Sequence, residues 1–310
     1  MAERETGTGQ SEAGRAPLPL GVPRAWRPGA KTVPLDRDEM LRYLGYHGQK
    51  IEPELAERID AVAADAVTRT APAGIWAVFP RGMAYDTPVK REHPVSANQK
   101  VKREHPVSAN QKVKREHPVS ANQKVKREHP VSANQTPVVA GHIALEGTAL
   151  ALTGRDIFRH LKDARYVAVL AVTLGMASEQ LLRVLSSQNP LEGAVFDAAC
   201  SALVESAADA LNCEIEAAAQ AAGLSCNTRF SPGYGDLPLA VQPTVLATLN
   251  ATRLCGITAT PTNLLMPTKS ITAFIGLFEG DPHSSDAVRS CAGCRVASGC
   301  PFRARGAHCW

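Results

Sequence analysis

The chain has 310 residues, of which 44% are hydrophobic, enough for one large domain or two small ones with a packed core. Its formal net charge of +4 is unevenly distributed, because residues 89–135 contribute +7 and the rest of the chain therefore carries −3. A mildly acidic body argues against a nucleic-acid-binding surface, and no apolar run approaches the ~20 residues of a membrane helix. The first residues lack the apolar centre of a secretory signal, so we expect a cytoplasmic protein without nucleic-acid or membrane partners.

The N-terminal part of the sequence predicts a tail followed by two helices. Residues 1–33 are rich in Gly, Pro, Ala, Arg and Glu and lack apolar periodicity, which is typical of a disordered tail. Asp36 and Glu39 form a capping-box pattern at the start of a short helix. A second helix begins near Pro53, and its apolar side chains recur at helical spacing (Leu55, Ile59, Val62, Ala66 and Val67).

Residues 89–135 consist of one repeated segment. The twelve-residue sequence VKREHPVSANQK occurs four times in succession, and the last copy lacks its final residue. Each copy has few apolar residues and no helical or strand period, so it cannot bury a core. We therefore predict a disordered insertion at residues 86–136 that interrupts a domain of residues 34–289.

Strands and helices are mixed in the body of the chain. The nearly continuous apolar run of Tyr166–Thr173 predicts a central strand, buried on both faces. A long Ala-rich helix is predicted at 191–222, with Glu205 and Asp209 off its apolar stripe. The other predicted elements are strands at 75–79, 138–145, 257–266 and 270–278, and helices at 154–161, 175–188 and 238–250, the last capped by Asp236. Without strict βαβ alternation, this mixture favours an α+β fold.

A loop rich in glycine and proline follows the long helix and carries the groups best suited to binding a ligand. Its sequence runs from Arg229 to Pro238 and reads RFSPGYGDLP. The guanidinium of Arg229 suits a carboxylate, Tyr234 offers an aromatic face and a hydroxyl, and Gly233 lets the backbone approach a ligand closely. This combination is suited to a small zwitterion. The alternative is a structural loop whose arginine pairs with a surface acid.

The last segment, residues 290–310, is rich in cysteine. Its thiols have the spacing Cys291-x2-Cys294-x5-Cys300-x8-Cys309, which is compact enough for zinc or an iron–sulfur cluster. The unequal spacings match no standard zinc ribbon, so redox-active thiols and free cysteines stay open as alternatives. Neither a Gly-x-Ser-x-Gly elbow nor a Walker phosphate loop occurs, which argues against hydrolase and nucleoside-triphosphatase functions.

Four segments together resemble a known family. The segments are Leu41–Tyr46, Leu152–Ile157, Arg229-x-x-x-Gly233-Tyr234 with its continuation to Leu239, and Pro267–Thr272. In sequence and in order they are similar to the activation domain of cobalamin-dependent methionine synthase, in its stand-alone bacterial form. The C-terminal cysteine cluster is similar too. The resemblance covers about residues 35–80 and 136–310. It implies a twisted, mainly antiparallel sheet packed with helices.

The resemblance also implies a ligand and the residues that hold it. Arg229, Gly233 and Tyr234 match the family's S-adenosylmethionine-binding motif, and Glu205 matches a helix acid that contacts the amino group of the ligand. A downstream aromatic residue of the family is not clearly present, since Ile275 stands near its position beside Phe274. No side chain is expected to act as a catalytic acid or base.

The function implied is activation of a cobalamin-dependent methionine synthase by reductive remethylation. In the family, S-adenosylmethionine supplies the methyl group, cobalamin sits on the partner protein, and a flavodoxin-like donor supplies an electron. The chain would then be the activation component of a methyl-transfer enzyme in methionine biosynthesis. The alternatives are an activator of a different corrinoid methyltransferase and a non-catalytic module that binds metal through Cys291, Cys294, Cys300 and Cys309.

Overall fold

A computed structural model describes residues 16–29, 33–88 and 139–280, in which one sheet separates two groups of helices. The strands are β1 (Arg24–Trp26), β2 (Ala73–Pro88), β3 (Val139–Leu145), β4 (Ala151–Thr153), β5 (Tyr166–Thr173), β6 (Ser225–Cys226), β7 (Thr258–Ala259), β8 (Leu265–Met266) and β9 (Ser270–Phe278). The helices are α1 (Arg37–Tyr43), α2 (Pro53–Arg69), α3 (Arg155–Leu161), α4 (Met176–Gln188), α5 (Pro190–Ala221), α6 (Gln242–Thr248) and α7 (Ala251–Cys255), with a 3-10 turn at Leu239–Val241. With Pro88 and Val139 excepted, the described residues belong to one compact unit.

The main sheet has the strand order β4-β3-β2-β5-β9-β6, and β1 pairs with β2. The neighbours of β5 are both antiparallel to it, and β5 is buried on both faces as its apolar run predicts. Ala168, Leu170 and Val172 face one core, whereas Val167 and Val169 face the other. The predicted α+β fold, with a mainly antiparallel sheet packed with helices, is confirmed.

Helix α5 is the long helix predicted from the Ala-rich run, and it crosses one face of the sheet. The side chain of Asn189 caps it by accepting from the backbone N–H of Glu192, and Pro190 occupies its first position. Its apolar face packs with α1, α2 and α4 in the core on this side of the sheet. Helices α3, α6 and α7 contribute to the opposite core.

The N-terminal segment differs from the expected tail. Residues Arg24–Trp26 form β1, which pairs with β2 in the register Arg24 to Trp76. The Trp26 side chain is buried, and Arg27 donates to the carbonyl oxygen of Leu254 over 2.7 Å. The prediction of a tail up to residue 33 is therefore wrong for residues 16–29. A strand this short has too few residues to show a period of two.

Two other segments are more broken than the sequence predicts. The strand expected at 257–266 is a hairpin of β7 and β8, closed by the bond from Thr260 N to Leu264 O at 2.8 Å. The helix expected at 238–250 is a 3-10 turn followed by α6, and Asn250 then adopts a left-handed conformation before α7. Strand β2 also continues to Pro88, past the residue where we expected the insertion to begin.

The repeats at 89–135 and the C-terminal segment 290–310 lie outside the described residues. Among the helices that are described, none combines the length and the apolar character needed to cross a membrane.

Gly193 gives a test of the packing between α4 and α5. A Cβ at this position would lie 2.7 Å from the Cα of Ser186, which is backbone and cannot swing away. Helix propensity alone would make Gly193→Ala stabilising by about 1 kcal/mol. We expect it instead to lower the free energy of unfolding by about 1–3 kcal/mol in urea denaturation, because the two helices must move apart.

The matched control is Ala194→Gly, at the next, exposed position of α5. It should cost no more than about 1 kcal/mol from backbone entropy. A stabilised Gly193→Ala protein would show that the helices are not in this close contact.

Candidate functional site

The chain returns along the free side of β9 before it reaches the predicted ligand loop. Strand β6 pairs with the end of β9, and Phe230 pairs with Phe274 further back. Between these two contacts, the side chain of Asn227 accepts from the backbone N–H of Gly276 over 2.7 Å. This pairing holds Arg229, just before Phe230, beside α5.

The turn after Phe230 is fixed by its own backbone. Gly233 N donates to Leu237 O over 2.8 Å, and Leu237 N donates to Tyr234 O over 3.1 Å. Gly233 has a φ of +92°, which disfavours any residue with a side chain. Tyr234 is 60% exposed, and its ring meets the ring of Phe230 edge-on at 6.5 Å.

Arg229 makes an ion pair with two acids of α5 although its own side chain is only 9% exposed. Its Nη2 lies 2.7 Å from Asp209 Oδ1 and 3.4 Å from Glu205 Oε2. Nη1 of the same guanidinium is buried and has no hydrogen-bond partner among the described residues. Buried donors are nearly always paired, and an unpaired one costs roughly 1–3 kcal/mol, so this nitrogen is a candidate ligand contact.

The acids around Arg229 outnumber it. Glu205 and Asp209 are 40% and 68% exposed, so the cluster carries a net negative charge that faces solvent. Tyr43, at the end of α1, lies near it, and burial raises the pKa of its phenol, with the Glu205 and Glu39 carboxylates raising it further. The Arg42 guanidinium lies over the Tyr43 ring at 4.8 Å.

Asp209 and Tyr43 are not among the site residues predicted from the sequence. The signal for Asp209 was its position four residues after Glu205, which places both on one side of a helix. Tyr43 belongs to the segment Leu41–Tyr46 that carries part of the resemblance, but only the packing of α1 on α5 brings it near Glu205.

Asp236 has a different role from the one predicted. Its carboxylate accepts from the backbone N–H groups of Arg155 and Asp156, at 2.8 and 3.0 Å, and so caps α3 rather than the helix that follows it. Gly154 makes this contact possible, because a Cβ there would lie 2.5 Å from Asp236 Oδ1. The loop of Arg229 is thereby tied to the segment Leu152–Ile157.

The structure brings some predicted site residues together and not others. Arg229 and Glu205 are in contact, while Gly233 and Tyr234 lie on the adjoining turn. Phe274 and Ile275 are fully buried in opposite cores, so neither presents a side chain to a ligand. The binding roles of Arg229, Gly233, Tyr234 and Glu205 stay predictions.

Two cysteines of the described chain, Cys200 and Cys226, have thiols that are largely buried. Burial raises the pKa of Cys200 and of Cys226 to about 12, so both thiols are protonated at neutral pH. In residues 16–29, 33–88 and 139–280, no group of three or more His, Cys, Asp or Glu side chains is arranged to hold a metal ion. Cys291, Cys294, Cys300 and Cys309 lie outside these ranges.

Comparison with known structures identifies the fold. The chain is similar to a solved structure described as the crystal structure of the MetH reactivation domain bound to AdoHcy, with a TM-score of 0.52. The similarity covers 94% of this chain and 88% of that chain, at 14% sequence identity.

The chain has the fold of the MetH reactivation domain. The fold expected from the sequence resemblance is thus confirmed. No protein-family model and no curated protein matches the chain.

The cap that Asp236 provides for α3 can be tested by Asp236→Ala. This change leaves two backbone N–H groups at the start of α3 without an acceptor. We expect the free energy of unfolding to fall by about 0.5–2 kcal/mol in urea denaturation, as for the loss of an ordinary N-cap. Asp163→Ala, at a half-exposed position, is the control and should change stability little. Equal stabilities of the two variants would contradict the cap.

Proposed function

We propose that the chain binds S-adenosylmethionine and presents it to a cobalamin protein as an activation component. The observation that carries the proposal is the buried Arg229 guanidinium, whose Nη1 has no partner among the described residues. The likeness in fold to a domain bound to AdoHcy supports the same class of ligand, because AdoHcy is S-adenosylmethionine without its sulfur-bound methyl group.

Arg229 binds the carboxylate of the ligand through Nη1. Nη2 is already fixed by Asp209 and Glu205, so the guanidinium is oriented before the ligand arrives and loses little freedom on binding. The low exposure of Arg229 strengthens a charged hydrogen bond made there relative to one in water.

Glu205 binds the ammonium group of the ligand. It is the partly exposed acid whose contact with Arg229 is the longer, at 3.4 Å, so it can turn towards a cation without releasing the arginine. The net negative charge of the cluster also favours a ligand that carries both an ammonium and a sulfonium. Gly233 allows close approach of the turn, and the exposed ring of Tyr234 packs on the ligand.

The role of the protein is to orient the ligand rather than to transfer protons. The sulfonium would supply the methyl group and leave as the thioether S-adenosylhomocysteine, and a corrinoid on a partner protein, reduced by a flavodoxin-like donor, would accept the methyl group. A cobalamin-dependent methionine synthase is the partner we propose, and both the sequence resemblance and the likeness in fold to the MetH reactivation domain support it. Another corrinoid methyltransferase is the alternative acceptor.

Calorimetric titration of S-adenosylmethionine tests the ligand. We expect wild-type binding to weaken by about 2 kcal/mol, or about thirtyfold, in Arg229→Ala, because a charged hydrogen bond is lost. Arg229→Lys keeps the positive charge but lacks the planar guanidinium with its paired donor nitrogens, and this variant should bind S-adenosylmethionine with intermediate affinity.

Arg58→Ala is the control, because Arg58 is half exposed and pairs with Glu192 on another part of α5. It should bind as the wild type does. Wild-type protein that is folded and binds no S-adenosylmethionine would refute the proposed function, and unchanged binding in Arg229→Ala would refute the role of the arginine.

The acceptor is tested separately with a methionine synthase that has lost its own activation domain and whose cobalamin is oxidised. Adding this protein, S-adenosylmethionine and reduced flavodoxin should restore methionine formation, and Arg229→Ala should restore much less. Ligand binding without any restoration would direct the search to another corrinoid protein.

A further inference from the structure

One side of α5 carries a row of polar side chains that extends beyond the acids of Arg229. Asp197, Ser201, Glu205 and Asp209 follow each other at intervals of four residues. Neighbours at this spacing lie about 6 Å apart along the helix axis and about 40° apart around it, so the row winds slowly along one side of α5. The row therefore runs from Asp209 at the arginine back towards the start of α5.

A second cation, Lys269, contacts the other end of this row. Its Nζ lies 2.8 Å from Asp197 Oδ1 and 2.8 Å from Ser201 Oγ, and its side chain is 15% exposed. The carbonyl oxygen of Lys269 accepts from the backbone N–H of Leu174 over 3.0 Å, which anchors the lysine to the sheet. Asp197 is held in place by Lys269 and yet is 49% exposed.

Both cations lie close to β9 in the chain or in its pairing. Lys269 comes just before the strand, and Arg229 comes just before the residue that pairs with Phe274. Within the described chain, no strand pairs with the edge of β9 opposite β5 between Ser270 and Ala273. The side chains of both cations contact the polar row of α5.

Nη1 of Arg229, which has no hydrogen-bond partner in the part of the chain that the structure describes, indicates that the row is part of a binding site and not only a set of ion pairs. At the Lys269 end, by contrast, the ammonium of Lys269 and the hydroxyl of Ser201 both have hydrogen-bond partners. Ser201 Oγ accepts from Lys269 and donates to the carbonyl oxygen of Asp197 over 2.9 Å. The group left to accept from a ligand at this end is the half-exposed carboxylate of Asp197.

We propose that Asp197, positioned by Lys269, binds the ribose diol of the nucleoside part of the ligand. This inference rests on the proposed function, which places the amino-acid end of S-adenosylmethionine at Arg229 and Glu205. Asp197 lies eight residues before Glu205, about 12 Å along the helix, and the flexible methionyl chain of the ligand connects its two polar ends. A carboxylate accepts from both hydroxyls of a ribose, as acidic residues do in dinucleotide-binding folds.

Lys269 acts as a positioning residue for Asp197. It neutralises the carboxylate where the surroundings are partly buried, and it fixes the direction of the acceptor oxygens before the ligand binds. Lys269 itself does not need to contact the ligand.

The test compares S-adenosylmethionine with its analogue that lacks both ribose hydroxyls, by calorimetric titration of the full-length protein. The wild type should bind the analogue about tenfold or more weakly, because the hydrogen bonds to a charged group are lost. Asp197→Asn should bind the two ligands within about threefold of each other, because the amide cannot accept from both hydroxyls. Asp163→Asn, the surface control, should keep the wild-type preference.

Lys269→Gln provides a second variant that leaves the carboxylate in place. It should reduce the preference for the ribose ligand, and Lys269→Arg should restore most of it. A merely structural lysine would change the melting temperature of the protein without changing the ratio of the two affinities.

A wild-type preference that persists in Asp197→Asn, with both proteins folded, would overturn the inference and leave the proposed function intact. If the wild type binds S-adenosylmethionine but does not distinguish it from the analogue, the inference is likewise overturned. If the wild type binds neither ligand, the proposed function itself fails, and the ribose contact fails with it.

Discussion

The site depends on one buried cation, the guanidinium of Arg229. A charge that is 9% exposed is stable only with partners, and α5 provides them as Glu205 and Asp209. These partners bind one of the two terminal nitrogens, and the other has no acceptor within residues 16–29, 33–88 and 139–280. Helix α5 thus has two roles. It buries its apolar side chains against the sheet, and it holds Glu205 and Asp209 beside Arg229.

The sheet holds this geometry in place. Strand β9 is paired with the buried strand β5 from Ser270 to Leu277, and this pairing fixes the position of β9 against the segment that returns beside it. The side chain of Asn227 takes the place of a backbone acceptor at Gly276, and pairing resumes at Phe230. Arg229 is thus positioned by hydrogen bonds of its neighbours as well as by its own ion pairs.

The segments that resemble the activation-domain family contact other elements through specific polar groups. Asp236, from the loop of Arg229, caps α3 in the segment Leu152–Ile157. Lys269, from the segment before β9, contacts Asp197 and Ser201 on α5. These contacts join the loop of Arg229, the sheet and the helices.

The sequence by itself determined the elements whose hydrophobic pattern is long and regular, such as β5 and α5, together with the loop motif of Arg229 and the fold class. It could not determine β1, whose three residues show no period. It also predicted that Asp236 caps the helix that follows it, whereas Asp236 caps α3. Nor could it show that Arg229 is buried between two acids and that Lys269 reaches Asp197. Local pattern depends on neighbours along the chain, whereas burial and pairing across 20 or 72 residues are decided only when the sheet brings distant segments together.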